Sequence, residues 1–349
     1  MSKLRKILKP LSFLYGEVVK TRNKMYDNGS LKSTKFNIPT IVVGNLSVGG
    51  TGKSPMIEYL IRLFKEDYKV AVLSRGYKRT SKGFQLASKT TKVEEIGDEP
   101  MQFYRKFNDI IVAVDADRVN GIQQLKKLEN PPQIVLLDDA YQHRKVQAGF
   151  NILLTPYYNL YVDDSMLPSG DLRENIEGAK RAQVIMVTKC PDELDEIKQF
   201  EITKKLKIDL TQTAYFTKIA YDEFVYNHQN KMEVQQLKDY HVLLVTGIAN
   251  TTPLTDFLKR EEIQFQHLKF KDHYNFKKKD LESIETSFSK IVDKKKIILT
   301  TEKDYVRTFE DANKKVFYLP IKTQFLNKAE EKSFKQKIKK YVEQSTRNS

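Results

Sequence analysis

The sequence predicts an α/β protein: a P-loop-type α/β/α domain with a mainly parallel sheet, plus a second, smaller α/β domain joined by a β-type linker. Three observations carry this reading. Short β-branched runs alternate with amphipathic segments from Thr40 to Thr188. A glycine-rich loop, GNLSVGGTGKSP, follows directly on the first run. The alternation breaks near Thr211–Val234, where Tyr, Phe and Thr crowd together, and then resumes.

Taken in order, residues 1–29 form a basic amphipathic segment with seven Lys/Arg and two acids. Leu4, Leu8, Leu11, Tyr15 and Val18 recur at helical spacing, and Met25 extends the stripe. Pro10 should kink or restart that helix, because it lacks an N–H and clashes with the preceding turn. Such a helix either docks on its own domain or lies in a membrane interface with lysines on anionic headgroups. Residues 30–210 make the phosphate-loop domain, with strands expected at Thr40–Val43, Val70–Ser74, Ile110–Val114, Ile134–Leu137, Ile152–Thr155 and Val184–Thr188. Helices are expected at Met56–Lys65 and Asn120–Leu128. Residues 211–235 read as the β-type linker, with a hairpin turned by His228, Gln229 and Asn230. Residues 236–349 make the smaller domain, with strands at His241–Gly247, Phe265–Phe270, Lys296–Thr301 and Val316–Leu319. Its last segment, Ala329–Tyr341, reads as a lysine-rich, solvated surface helix.

Composition narrows the class. A chain of 349 residues with 40% hydrophobic and 30% charged residues is a soluble globular protein of two-domain size. Its one cysteine, Cys190, excludes an intrachain disulfide framework and a cysteine metal cluster, and fits a reducing compartment. No uncharged apolar stretch approaches the ~18 residues of a membrane span, and no secretory signal is expected. With 60 basic against 45 acidic residues, the formal charge of +15 asks for an anionic partner. Nucleic acid, a membrane surface and a phosphorylated substrate all qualify. Ribonucleoprotein signatures and zinc-knuckle spacings are absent, so nucleic acid is not expected.

The loop at Gly44–Pro55 departs from G-x-x-x-x-G-K-[ST] only in carrying Ser47 at the leading glycine. Backbone N–H groups must close around phosphate oxygens, which needs small residues. Ser47, Val48, Gly49, Gly50, Thr51, Gly52, Lys53 and Ser54 are therefore the expected ATP-binding residues. Lys53 neutralises β/γ-phosphate charge and the Ser54 hydroxyl ligates Mg²⁺. The run from Gln133 ends in Asp138 and Asp139 in the form of a Walker B strand, which brings two carboxylates to the same end of the sheet. These acids, with Ser54 and Glu99, are the expected metal set. In Gly97-Asp98-Glu99-Pro100, Asp98 can accept a proton from an attacking hydroxyl. His273, in Asp272-His273-Tyr274, is a candidate acid–base partner. Pro168–Glu174 forms a loop offering Arg173 to a phosphate and Glu174 to hydroxyls. A GTPase is disfavoured, since Thr188-Lys189-Cys190-Pro191 puts proline where the base-reading aspartate belongs. A kinase, or a regulatory ATPase with a protein or nucleic acid partner, remains open on these residues alone.

The motifs VGNLSVGGTGKSP, SRGY (Ser74–Tyr77), GDEP, DADR (Asp115–Arg118), LLDDAYQHR (Leu136–Arg144), LPSGDLRE, DHYNF and TTEKDYVR (Thr300–Arg307) occur in order from Val43 to Arg307. Together they resemble the tetraacyldisaccharide 4'-kinase family of Gram-negative bacteria, which also has Ser or Thr at the Ser47 position. Ala140, Asp171 and Asn175 depart from residues usual in that family, in loop shape only. The resemblance implies transfer of the ATP γ-phosphate to the 4'-hydroxyl of a lipid-linked disaccharide 1-phosphate, forming lipid IVA. It implies Mg²⁺, two α/β/α domains with the active site in the cleft between them, and a catalytic pair at Asp98 and His273. It maps further functional positions onto Arg118, His143, Arg173 and Glu174, expected here as substrate-binding. With the basic first helix it also implies a peripheral enzyme on the anionic cytoplasmic face of the inner membrane. No obligate protein partner is expected.

Overall fold

The computed structural model describes residues 7–272, 274–293, 295–309 and 315–347. Two compact units divide the chain, Met1–Ile219 with Thr323–Ser349, and Ala220–Lys322. The strands of the first unit are β1 (Thr40–Asn45), β2 (Val70–Ser74), β3 (Gln85–Leu86), β4 (Ile111–Val114), β5 (Ile134–Asp138), β6 (Phe150–Pro156), β7 (Val184–Thr188) and β8 (Thr213–Tyr221). The second unit contributes β9 (Phe224–Tyr226), β10 (Lys231–Glu233), β11 (His241–Thr246), β12 (Phe265–Lys269), β13 (Lys296–Thr301) and β14 (Val316–Leu319), and the chain then returns through β15 (Ile321–Phe325).

The larger sheet runs β15-β8-β7-β6-β1-β5-β2-β4-β3. β1 lies between β5 and β6, parallel to both, with Val43 opposite Asp138 and Ile152. All six β1 residues are buried, as a strand covered on both faces requires. Period-two alternation sends Ile41 and Val43 to one face and Val42 to the other. The helix α2 (Lys53–Phe64) covers the first of these faces through Met56, Ile57, Leu60, Ile61 and Phe64. Pro55 sits in its first turn, where a missing N–H is tolerated. The expected strands all form, and the two expected helices appear shifted towards their N-termini, at Lys53–Phe64 and at Arg118–Lys126.

The domain borders differ from the expectation at both ends. β8 pairs in parallel with β7, from Thr213 opposite Val184 to Phe216 opposite Val187, so its first half belongs to the larger sheet. The expected surface helix is also part of that unit. It spans Lys328–Arg347, and Phe334, Ile338 and Val342 are fully buried in the cluster that α2 builds. Those three residues recur every four positions beneath a lysine-rich outer face, an apolar stripe that the charge content obscured. Burying each stabilises the unit by roughly 1.5–3 kcal/mol.

The smaller sheet runs β10-β9-β14-β13-β11-β12, with β11 to β14 parallel and β9–β10 an antiparallel hairpin. Tyr226 pairs with Lys231, so the turn falls where His228-Gln229-Asn230 predicted it. Helices Thr252–Arg260 and Lys278–Ser289 cover its opposite faces.

The first helix, α1 (Lys9–Asp27), begins with Pro10 in its first turn, where a missing N–H is tolerated. It docks on the larger unit through small residues, Ser12 and Gly16, while Tyr15 donates to the Arg173 carbonyl at 3.1 Å and Asn23 to Glu174 at 2.7 Å. Away from the docked side the helix bares Leu11, Phe13, Leu14 and Val18, each more than half exposed, as is Ile7 just before it. The expected stripe thus divides between two faces: Tyr15 joins the docked one, Leu11 and Val18 face outward, and Leu4 lies outside the described residues.

Candidate active site

The loop after β1 closes at Gly52, whose φ of 94° lies in the left-handed region that glycine enters without strain, and α2 starts at Lys53. Asn45, fully buried at the end of β1, organises the loop. Its Nδ2 donates to the Ser47 carbonyl at 2.5 Å, and its Oδ1 accepts from Arg173 Nη2 at 2.6 Å and from Lys53 Nζ at 3.4 Å. The strap from Asp171 to Arg173 is stitched along the same backbone. Val48 N–H donates to the Asp171 carbonyl at 2.7 Å, and Arg173 N–H donates to the Leu46 carbonyl at 2.8 Å. The Val48 N–H, expected to face phosphate, is therefore engaged by protein. Thr51 Oγ1 is buried with no hydrogen-bond partner among the described residues, and so are the Nε atoms of Arg118 and Arg173. Orphaned donors beside a phosphate loop fit an anionic ligand rich in oxygen.

Asp138 and Asp139 end β5 beside the loop, as expected of a Walker B pair. Asp138 is buried and accepts from Ser74 Oγ at 3.1 Å. Burial, reinforced by the charges of Glu99 and Asp139, pushes its pKa up to about 7 against the opposing pull of Lys53 and Ser74. Asp139, with φ of 48°, turns back towards the cations. Burial alone would raise its pKa, but Lys53, Arg173 and Arg118 outweigh burial and hold it below the usual carboxylate range. Lys53 Nζ stands 3.7 Å from Asp139 Oδ1, and Arg173 grips both carboxylate oxygens.

Asp98 and Glu99 open the helix α3 (Asp98–Lys106), where acidic side chains complement the helix dipole. Its N-cap, Gly97, has φ of 94° and lies so close to the Ser74–Tyr77 segment that an added Cβ would come 3.1 Å from the Tyr77 carbonyl. Glu99 is near enough to Asp138 to raise its pKa, which gives the carboxylate set expected of a metal site its electrostatic coupling. Carboxylate oxygens are the donors a hard divalent cation takes, but among the described residues no group of three or more such side chains is gathered closely enough to hold one.

Arg118 opens the next helix, Arg118–Lys126, and is almost wholly buried. It donates to the carbonyls of Asp115 at 3.2 Å and Ala116 at 3.0 Å, and burial lowers its pKa to about 10. His143 Nε2 accepts from the Arg118 backbone N–H at 3.3 Å, and burial beside Arg118 drives its pKa down to about 4, so the imidazole is neutral at pH 7. Glu174 departs from its expected exposure to hydroxyls. It is buried, and its oxygens accept from Arg181 at 2.6 Å, Asn23 at 2.7 Å and Gln142 at 3.1 Å. This carboxylate braces the loop and α1 together. His273 lies outside the described residues.

Asn45, Thr188 and Lys189 belong to the loop's support without having been singled out as site residues. Thr188 Oγ1 donates to the Thr51 carbonyl at 2.8 Å, and Lys189 Nζ to the Gly50 carbonyl at 2.6 Å. Asn45 lies inside the quoted loop itself. The Thr188-Lys189 pair was legible only as a failed guanine-reading motif.

A phosphate loop on a central parallel strand, its lysine at a helix start and a neighbouring strand ending in coupled acids define a P-loop nucleotide-binding protein. The family described as LpxK, tetraacyldisaccharide-1-P 4'-kinase, matches residues 4–343. Tetraacyldisaccharide 4'-kinases of Flavobacterium johnsoniae and Flavobacterium psychrophilum are 51% and 50% identical, covering 99% of both chains in the first case and 100% of both in the second. That of Bacteroides thetaiotaomicron is 43% identical over 99% of this chain and 96% of its own. A crystal structure of Aquifex aeolicus LpxK in complex with ATP superposes with a TM-score of 0.77 at 30% identity, covering 97% of this chain and 99% of that one.

The chain belongs to the tetraacyldisaccharide 4'-kinase family. Its reaction is ATP-dependent phosphorylation of the 4'-hydroxyl of a tetraacyldisaccharide 1-phosphate, in lipid A biosynthesis. ATP is the co-substrate.

Proposed function

We propose that Asp98 is the base that takes the proton of the 4'-hydroxyl, with His273 orienting it or balancing its charge. Asp98 at the mouth of α3, with Glu99 coupled to buried Asp138, is the observation that carries this reading. Lys53 and Arg173 neutralise charge on the transferred phosphoryl group, and in the absence of nucleotide Asp139 is the counter-ion of both. Arg118 and the Ser47–Ser54 loop hold the polyphosphate. Ser54, Glu99, Asp138 and Asp139 would hold Mg²⁺, whose positive charge offsets that of the phosphate oxygens. Neutral His143 holds Arg118 in place through the backbone.

The enzyme works at an anionic membrane surface, the cytoplasmic face of the inner membrane, where the lipid-linked acceptor resides. No helix of the described residues is long and apolar enough to cross a membrane. The outward apolar face of α1 and the charge of +15 support a peripheral mode. The test combines labelled ATP, Mg²⁺ and disaccharide 1-phosphate lipid with wild-type protein and Asp98→Asn. The variant should bind ATP as the wild type does and yield no 4'-phosphorylated product. Undiminished turnover removes Asp98 from the role of base.

A further inference from the structure

We propose that Tyr158 and Lys189 form the platform on which the nucleotide base rests, an inference that builds on the phosphate-loop reading above. The acids at the reacting end lie on one side of β1: Asp138 at the end of β5, Asp139 directly after it, and Glu99, coupled electrostatically to Asp138. A triphosphate that crosses the loop with its γ-phosphate at that end must carry its base towards the other side, over β6 and β7.

Tyr158 and Lys189 follow those two strands. Lys189 Nζ sits 5.7 Å from the Tyr158 ring centroid, 3.4 Å from its hydroxyl and 2.6 Å from the Gly50 carbonyl. The ammonium is thereby committed to the loop, and the Tyr158 ring is 68% exposed beside it. Lys189 holds a φ of 57°, a left-handed conformation that costs a non-glycine residue free energy and recurs at functional sites. Backbone bonds fix the pair: Tyr157 N–H donates to the Thr188 carbonyl at 2.8 Å and Cys190 N–H to the Thr217 carbonyl at 3.0 Å. An exposed ring held next to an anchored lysine stem offers a face for stacking, which accepts any base. The nearest carboxylate in sequence, Asp192, is tied to Lys218 at 2.7 Å, so this pair supplies stacking without the acid that would select guanine.

The test measures the affinity of the full chain, with Mg²⁺, for a non-hydrolysable ATP analogue and for inorganic tripolyphosphate, which has no base. Tyr158→Ala should weaken binding of the ATP analogue roughly tenfold and leave tripolyphosphate unchanged. Tyr158→Phe should bind both as the wild type does, because the ring remains. Equal losses for both ligands in Tyr158→Ala, or no loss for either, overturn the platform. Lys53→Ala separates the two readings: it should weaken both ligands. If it weakens neither, the phosphate loop assignment itself fails.

Discussion

Arg173 holds Asp139 in a two-pronged ion pair, with Nη1 3.2 Å from Oδ2 and Nη2 on Oδ1, while Nη2 also reaches Asn45 Oδ1 at 2.6 Å. One planar guanidinium thereby ties the strap, the end of β1 and the end of β5 together. Lysine carries the same charge but no fork, and it cannot serve three oxygens in one plane. Arg173→Lys should lower kcat/KM about 100-fold, the magnitude typical of losing one oriented charge donor. Steady-state kinetics with lipid acceptor in detergent provide the check, and a loss below threefold would remove the fork from the mechanism.

Asp138 makes stability depend on pH with a definite sign. Its folded pKa, about 7, lies above its unfolded value of 3.8, so the native state binds the extra proton between those limits. Nucleotide-free and metal-free protein should lose stability on this account as the pH rises from about 4 to 7. Asp138→Asn removes that contribution. The difference in Tm, variant minus wild type, should therefore grow from about pH 4 to about pH 7 and then level off. A difference that stays flat across this range refutes the raised pKa.

Glu174→Ala should act on stability. It leaves the Arg181 guanidinium, which the structure pairs at 2.6 Å, without its carboxylate, and it releases Asn23 of α1. Removing one partner of a largely buried pair costs about 2–3 kcal/mol after allowance for the partial exposure of Arg181. In a unit of this size that lowers Tm by roughly 4–12 °C. Trypsin should also cut faster at Lys20, Arg22 and Lys24 in the loosened helix. Unchanged Tm and unchanged cleavage would return Glu174 to the substrate-facing role expected from sequence.

The two faces of α1 can be separated by substitution. Leu11→Ser, Leu14→Ser and Val18→Ser together alter only exposed positions. Binding to anionic phospholipid vesicles should fall at least tenfold, while turnover of detergent-dispersed substrate stays near wild type. Vesicle co-sedimentation measures the first quantity. Equal sedimentation of variant and wild type would assign α1 to docking alone.

The sequence made the larger sheet and its loop legible because both depend on local signals. β-Branched runs, the Gly49–Ser54 cluster and the paired acids after Leu137 each carry their physics within a few residues. The role of Glu174 was not legible. Its three partners lie on α1, in the Gln142 loop and at Arg181, and only tertiary packing brings them together. The same holds for Lys189, whose function depends on a carbonyl at Gly50 on another strand's loop. The last helix was misjudged for a different reason. Lysines outnumber apolar residues along it, yet three residues at one spacing suffice to bury a face.

That last helix also sets an order of events in the making of the protein. The smaller unit, Ala220–Lys322, interrupts the larger one, which resumes at Thr323. Phe325, Phe334, Ile338 and Val342 complete the cluster around Phe64 and Tyr59. On the ribosome, the phosphate-loop unit emerges first but lacks one wall of its core until the inserted unit and the final helix have followed. Synthesis from the N-terminus usually lets the leading domain fold first. Here the core of the nucleotide-binding half is complete only once Phe334, Ile338 and Val342 have been made, after the whole of the inserted unit.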